Sequence, residues 1–174
     1  MIAQEGTFDR IYVKLESNLE EITKLYRQMV DLLRKEKEIL IKAEIEKIEE
    51  SNKQKELILA RLKSLDALRV KYASDVALQL SLDPAQPRLL EIARELGGIR
   101  ADKLRSIHAA LEILMKKIPE LNKENEQYAQ SALSHVKGAI DNVKGVLSGP
   151  TTYKREGSKE KSIEASGHLI SREA

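Results

Sequence analysis

One run of apolar residues constrains this chain more than any other feature: Leu104, Ile107, Leu111, Leu114, Ile118 and Leu121, spaced alternately three and four apart. On an α-helix that alternation gathers the six side chains into one narrow stripe, the seam by which a helix packs against other helices. The next position in the register is Asn125. Beyond it the apolar residues fall one place later, at Ala129, Leu133, Val136, Ile140, Val143 and Leu147, so the steps from Leu121 to Leu133 are all of four. Such a stutter unwinds a coiled coil locally and turns the second half of the helix toward a different neighbour, or toward none.

Two further helices carry the same period. Near the N-terminus, Thr7 is a candidate N-cap, followed by Phe8, Tyr12, Leu15, Leu19, Ile22, Tyr26, Met29 and Leu33 in strict four-three alternation, with Glu36 as the one polar residue in the stripe. The second helix presents Ile45, Ile48, Leu59, Leu62, Leu65, Tyr72, Val76 and Leu80, but holds eight consecutive polar residues from Glu49 to Glu56. The segment Ile41-Lys42-Ala43-Glu44 contains neither Gly nor Pro. A single helix through it would span roughly 110 Å and leave both seams unpaired. The stripes also change register there, which favours a hairpin. Antiparallel pairing then brings Glu36 opposite the polar stretch, within reach of Asn52 or Lys53, so that the buried carboxylate has a partner. Ser81-Leu82-Asp83-Pro84 marks the next boundary, with Pro just inside a short helix that Gly97-Gly98 ends or kinks.

These signals predict an all-α fold, an elongated antiparallel coiled-coil bundle of three long helices plus a short one, with helices over about residues 7–41, 44–80, 84–96 and 99–147. Domain 1–147 is the bundle. After Leu147, Ser148-Gly149-Pro150 stops the helix. The segment 148–174 mixes Gly, Ser, Lys and Glu and reads as a flexible tail, with Tyr153 its one aromatic residue.

Composition narrows the function. Charged residues are 33% and aromatic residues 3% of the chain, so the core is narrow and the surface large. The net charge of +2 is spread along the helices and offers no dense basic face to nucleic acid. The absence of cysteine excludes disulfides and thiolate metal sites and suits a reducing compartment. No eighteen-residue apolar run is present, and Glu5 and Asp9 interrupt any signal-peptide core, so a cytoplasmic protein without membrane insertion is expected. His108, His135 and His168 are far apart with no second ligand at metal-binding spacing, and Gly97-Gly98 lacks the strand and Lys-Ser/Thr sequel of a phosphate loop. Neither an enzyme nor a cofactor is expected.

The C-terminal half then shows a family likeness. Leu121-Asn122-x-x-Asn125, Ala132-Leu133, Val136 and Ile140, followed after a Gly/Pro break by Tyr153-x-x-x-Gly157, resemble the FlgN flagellar export chaperones in order and spacing. In the first hairpin the likeness extends over Leu33 to Leu40, Ile45-Glu46-Lys47-Ile48 and Lys53 to Leu57. Two positions depart from the family pattern: Lys154 stands where Asp, Asn or Gly is frequent, and residues 41–44 lack a Gly-Asp-like breaker.

The resemblance implies a cytoplasmic chaperone that binds hook-filament junction proteins, prevents their premature assembly and delivers them to the flagellar type III export gate. Helical terminal segments of such clients would lie on an apolar seam by helix-in-groove packing. The client-binding residues expected are Asn122, Asn125, Ala129, Leu133, Val136, Ile140, Val143 and Leu147. Tyr153 and Gly157 are expected to dock on the gate. The alternative is a structural coiled coil that self-associates as a homodimer through its last helix, with Asn125 fixing register.

Overall fold

The computed structural model describes residues 2–147, which form four helices: α1 (Ile2–Ile41), α2 (Ile45–Gln79), α3 (Leu89–Leu96) and α4 (Gly98–Leu147). No strand occurs among the described residues. Residues 148–174, with Tyr153 and Gly157, lie outside them. The chain divides into two compact units, the first ending at Gln130 and the second starting at Ser131, within α4.

In the first unit, α1 and α2 run antiparallel. The Asn18 side-chain amide donates to the Leu65 carbonyl at 3.2 Å, Arg61 pairs with Glu21 at 2.8 Å, and Lys55 pairs with Glu36. Residue numbers thus rise on one helix as they fall on the other. Helix α4 lies parallel to α1: the Tyr12 hydroxyl donates to the Arg100 carbonyl at 3.2 Å, Lys103 holds Glu20 at 2.6 Å, and Asn125 donates to the Leu33 carbonyl at 2.9 Å. All three helices contribute to one core. At the α3 end, Leu15, Leu19, Val76, Ile92 and Leu104 are completely buried. Farther along, Ile22, Leu25 and Leu62 pack together, and then Met29, Val30, Leu33 and Leu121. The α1 stripe from Tyr12 to Leu33 and the first α4 seam therefore lie inside the bundle, as their spacing predicts.

The reversal after α1 falls at the expected segment by an unexpected device. Ala43 has φ 53°, the Ala43 amide donates to the Leu40 carbonyl and the Glu44 amide to the Ile39 carbonyl, both at 3.2 Å. This pair of bonds is the Schellman closure of a helix, whose left-handed position glycine normally occupies. Helix α2 ends the same way: Ser81 has φ 59°, with Ser81 bonded to Leu78 and Leu82 to Ala77.

The short helix begins at Leu89, not at Pro84 as its sequence suggests. Pro87 explains the difference, because it lacks an amide proton and disfavours helical geometry at Gln86. Asp83 Oδ1 instead accepts the Ala85 amide at 2.9 Å in a local turn. Gly97 and Gly98 both have positive φ, 62° and 56°, and redirect the chain between α3 and α4. Pro119 sits inside α4 at an exposed position. It leaves the Met115 carbonyl without its helical amide partner.

Candidate binding surfaces

Three features stand out on the helices: a polar layer inside the first unit, an apolar groove beside it, and an exposed seam on the second unit.

The polar layer forms where the registers of α1, α2 and α4 each place a hydrophilic residue in the seam. Glu36 is 6% exposed and Asn125 5% exposed. One Glu36 carboxylate oxygen accepts from Lys55 Nζ and the other from Asn125 Nδ2 at 3.0 Å. Asn125 Oδ1 and the hydroxyl of buried Ser51 have no hydrogen-bond partner among the described residues. At the rim, Lys37 pairs with Glu124 at 3.1 Å and lies 5.2 Å from the centre of the Tyr128 ring. That carboxylate's hydrogen bond pushes the Lys37 ammonium above its ordinary pKa.

Glu36 therefore has a cationic partner as its burial demands, but the partner is Lys55. Asn52 and Lys53 are exposed. The α2 seam runs Ser51, Lys55, Ile58, Leu62, Leu65, Arg69, Tyr72 and Val76 in unbroken four-three alternation, all buried or half-buried. Its polar members hid this register. Leu59, assigned to the stripe from its hydrophobicity, is 56% exposed, and Ile58 packs in its place.

Between α2 and α4 lies a groove floored by α1. Leu62, Asp66 and Arg69 of α2 face His108, Leu111, Glu112 and Met115 of α4 across it. One depression of about 800 Å³ is lined by Leu19, Ile22 and Tyr26 below, with Leu62 and Leu111 on its sides. A second, of about 390 Å³, shares Tyr26 and Leu62 and extends along Met29 to Ile118 and Asn122. His108 lines the first depression and Asn122 the second.

On the second unit, Leu133 is 70%, Val136 58%, Ile140 50% and Val143 59% exposed. The spacing collects them on one helical stripe. On the opposite side of the helix, an added Cβ at Gly138 or Gly145 would meet nothing within 4 Å. Of the residues expected to bind a client, Ala129 is exposed with this group, and Leu147 ends α4 with its side chain outside the described set. Asn122 is exposed in the groove, while Asn125 is committed to Leu33 and Glu36 inside the bundle. The structure thus separates the two asparagines that the sequence pattern groups together.

No cluster of His, Asp or Glu able to hold a metal occurs among the described residues, and no helix there is long and apolar enough to cross a membrane. His108 is half-buried beside the groove and His135 exposed, and His168 lies outside the described residues.

Comparison with curated proteins and with solved structures gives no match. The family whose sequence model matches is described as FlgN protein, over residues 12–161. That span includes the bundle seams and the exposed stripe, and by it the chain belongs to the FlgN family of flagellar export chaperones.

Proposed function

We propose that this chain is the export chaperone of hook-filament junction proteins and holds their helical terminal segments on the stripe Leu133, Val136, Ile140 and Val143. The exposure of that stripe carries the reading. Four branched aliphatic side chains at seam spacing face water on one helix, an arrangement that gains free energy only when another apolar surface covers it. A junction-protein terminal helix used for assembly offers such a surface, and covering it prevents self-assembly before export. Ala129 starts the contact and Leu147 ends it. Asn122 lies outside the stripe, and Asn125 acts on it indirectly, by fixing where the bundled part of α4 stops.

The complex must come apart at the export gate, so its affinity should be moderate, about 8 kcal/mol for a micromolar complex. Tyr153 and Gly157 supply the gate-docking element of the proposal, with the aromatic ring as anchor. The protein binds and transfers clients without catalysis or a cofactor, in the cytoplasm.

Light scattering coupled to size exclusion tests the client class, using the full chain with terminal helical segments of junction proteins. A complex of defined stoichiometry that Ile140→Glu abolishes supports the assignment. Failure of every junction segment to bind would overturn it. Tyr153→Ala should lower export and spare client binding; equal loss of both would refute the division of labour.

A further inference from the structure

We propose that the polar layer is a binding site for a single water molecule, which bridges the Ser51 hydroxyl of α2 and Asn125 Oδ1 of α4. Heptad counting places the two groups together. Met29, Ile58 and Ile118, one from each long helix, pack in one apolar cluster. Seven residues on along α1 and α4, and seven back along antiparallel α2, stand Glu36, Asn125 and Ser51. One heptad thus replaces an apolar layer by three polar side chains, of which Glu36 is 6%, Asn125 5% and Ser51 3% exposed.

The hydrogen bonds inside the layer leave one acceptor and one hydroxyl over. Asn125 Nδ2 donates to the Leu33 carbonyl at 2.9 Å and to Glu36 at 3.0 Å. Both partners are acceptors, so the amide has only this orientation and Oδ1 must take its donor from elsewhere. A helical hydroxyl can bond to the carbonyl one turn back, as Thr23 does to Leu19 at 2.8 Å and Ser64 to Ala60 at 3.3 Å. Ser51 does not, and its hydroxyl reaches neither the Lys47 carbonyl nor Asn125. Leaving two such groups buried and unbonded in one layer is costly, and a bridging water removes both costs at once.

Water fits the pair by hydrogen-bond count, by size and by charge. It accepts from Ser51 and donates one proton to Asn125 Oδ1 and the other to the Glu36 carboxylate, the three bonds usual for a buried water. A serine where the preceding layer has Ile58 gives up more than the roughly 30 Å³ that a water occupies in the liquid. Oxygens of Glu, Ser and Asn also suit a metal cation. Here, however, the Lys55 ammonium already sits on Glu36 and repels a second positive charge. The second depression of the groove gives the site a route to solvent: it is lined by Asn52, next to Ser51 in sequence, by Lys55, and by Asn122, one turn before Asn125.

The bridge supplies a link that the side chains do not make. Each hydrogen bond and ion pair described between α4 and the hairpin ends on α1. The water ties α4 to α2 as well and closes the layer across all three helices.

Two measurements on the full chain test this. Oxygen-17 relaxation dispersion of the solvent counts long-lived waters, and Ser51→Val, which fills the space and removes the hydroxyl, should hold one fewer per chain than wild type. A high-resolution crystal structure of the wild type should place a water at about 2.7–3.2 Å from both Ser51 Oγ and Asn125 Oδ1. Equal dispersion for a folded Ser51→Val and wild type overturns the proposal. So does a Ser51 hydroxyl turned back onto the Lys47 carbonyl or bonded directly to Asn125. A density peak that rubidium replaces would assign the site to a monovalent cation and overturn it too. Should the valine variant lose its helicity by circular dichroism, the wild-type crystal structure decides alone.

Discussion

The substitution Lys55→Met isolates the energetics of the polar layer. It keeps the aliphatic stem and removes the ammonium from Glu36, whose carboxylate is 8% exposed in the structure. Asn125 then remains as its side-chain hydrogen-bond donor among the described residues. Breaking a fully buried ion pair from one side costs about 3–5 kcal/mol, and losing one charge-assisted hydrogen bond about 1.5–3 kcal/mol. The Lys55 side chain is 21% exposed, so water already screens the pair, and about 2–3 kcal/mol is the expected loss. In a helical unit of this size that lowers Tm by about 6–10 °C. The triple variant Glu36→Leu, Lys55→Met, Asn125→Leu should behave in the opposite sense. It continues the aliphatic seam through all three helices and removes every charge of the layer, which makes it as stable as wild type or about 1–4 kcal/mol more so. Urea and thermal unfolding followed by circular dichroism at the helical band give both numbers. A Lys55→Met loss below about 0.5 kcal/mol would refute the reasoning, as would a triple variant less stable than the single one.

Ala43→Gly should raise stability by about 0.5–1 kcal/mol in the same assay, because it relieves a left-handed alanine at φ 53° at the cost of some unfolded-state entropy; a loss would contradict the turn geometry. Pro119→Ala should add about 1–3 kcal/mol by returning an amide to the Met115 carbonyl at an exposed site, and a decrease would show that the proline is packed. Burial raises the Tyr12 pKa above 10.0, and hydrogen bonds to Glu124 and Glu20 raise Lys37 and Lys103 above 10.5. Raised folded-state values mean that the native state holds protons the unfolded chain releases. This contribution to stability is therefore complete below about pH 10 and is lost as pH climbs through the folded values; Tm that does not fall between pH 9 and pH 11 would contradict it.

Periodicity made the seams legible because it is a direct consequence of helical geometry, and it located α1 from Phe8 to Leu33 and α4 from Leu104 to Leu121 inside the bundle. It did not show α2 correctly. Ser51 and Lys55 occupy seam positions by virtue of what faces them on α1, and a reading that scores hydrophobicity alone skips them in favour of Leu59. Extending the four-three spacing backward from Leu62 through polar residues would have found both. The first turn was hidden for a related reason: Ala43 adopts a conformation in which sequence reasoning looks for glycine, and tertiary pairing of α1 with α2 supplies what the residue disfavours. At the candidate site the exposed stripe could be read from the stutter. The groove could not, because it depends on the separation between α2 and α4, which no local pattern encodes. Leu59 and Met115 had a signal nonetheless, as large apolar residues at flanking heptad positions.

Five of the six largest fully buried side chains, Leu15, Leu19, Val76, Ile92 and Leu104, belong to the cluster at the α3 end, and only Leu33 lies toward the polar layer. Close packing therefore grades along the first unit. Amide hydrogens near Leu15 and Leu104 should exchange by global unfolding, while those near Glu36 and Lys55 should exchange through smaller openings that leave the α3 end intact. The bundle thus has a lasting end and a breathing end, and α1 and α2 can part around Ala43 many times for each complete unfolding of the chain.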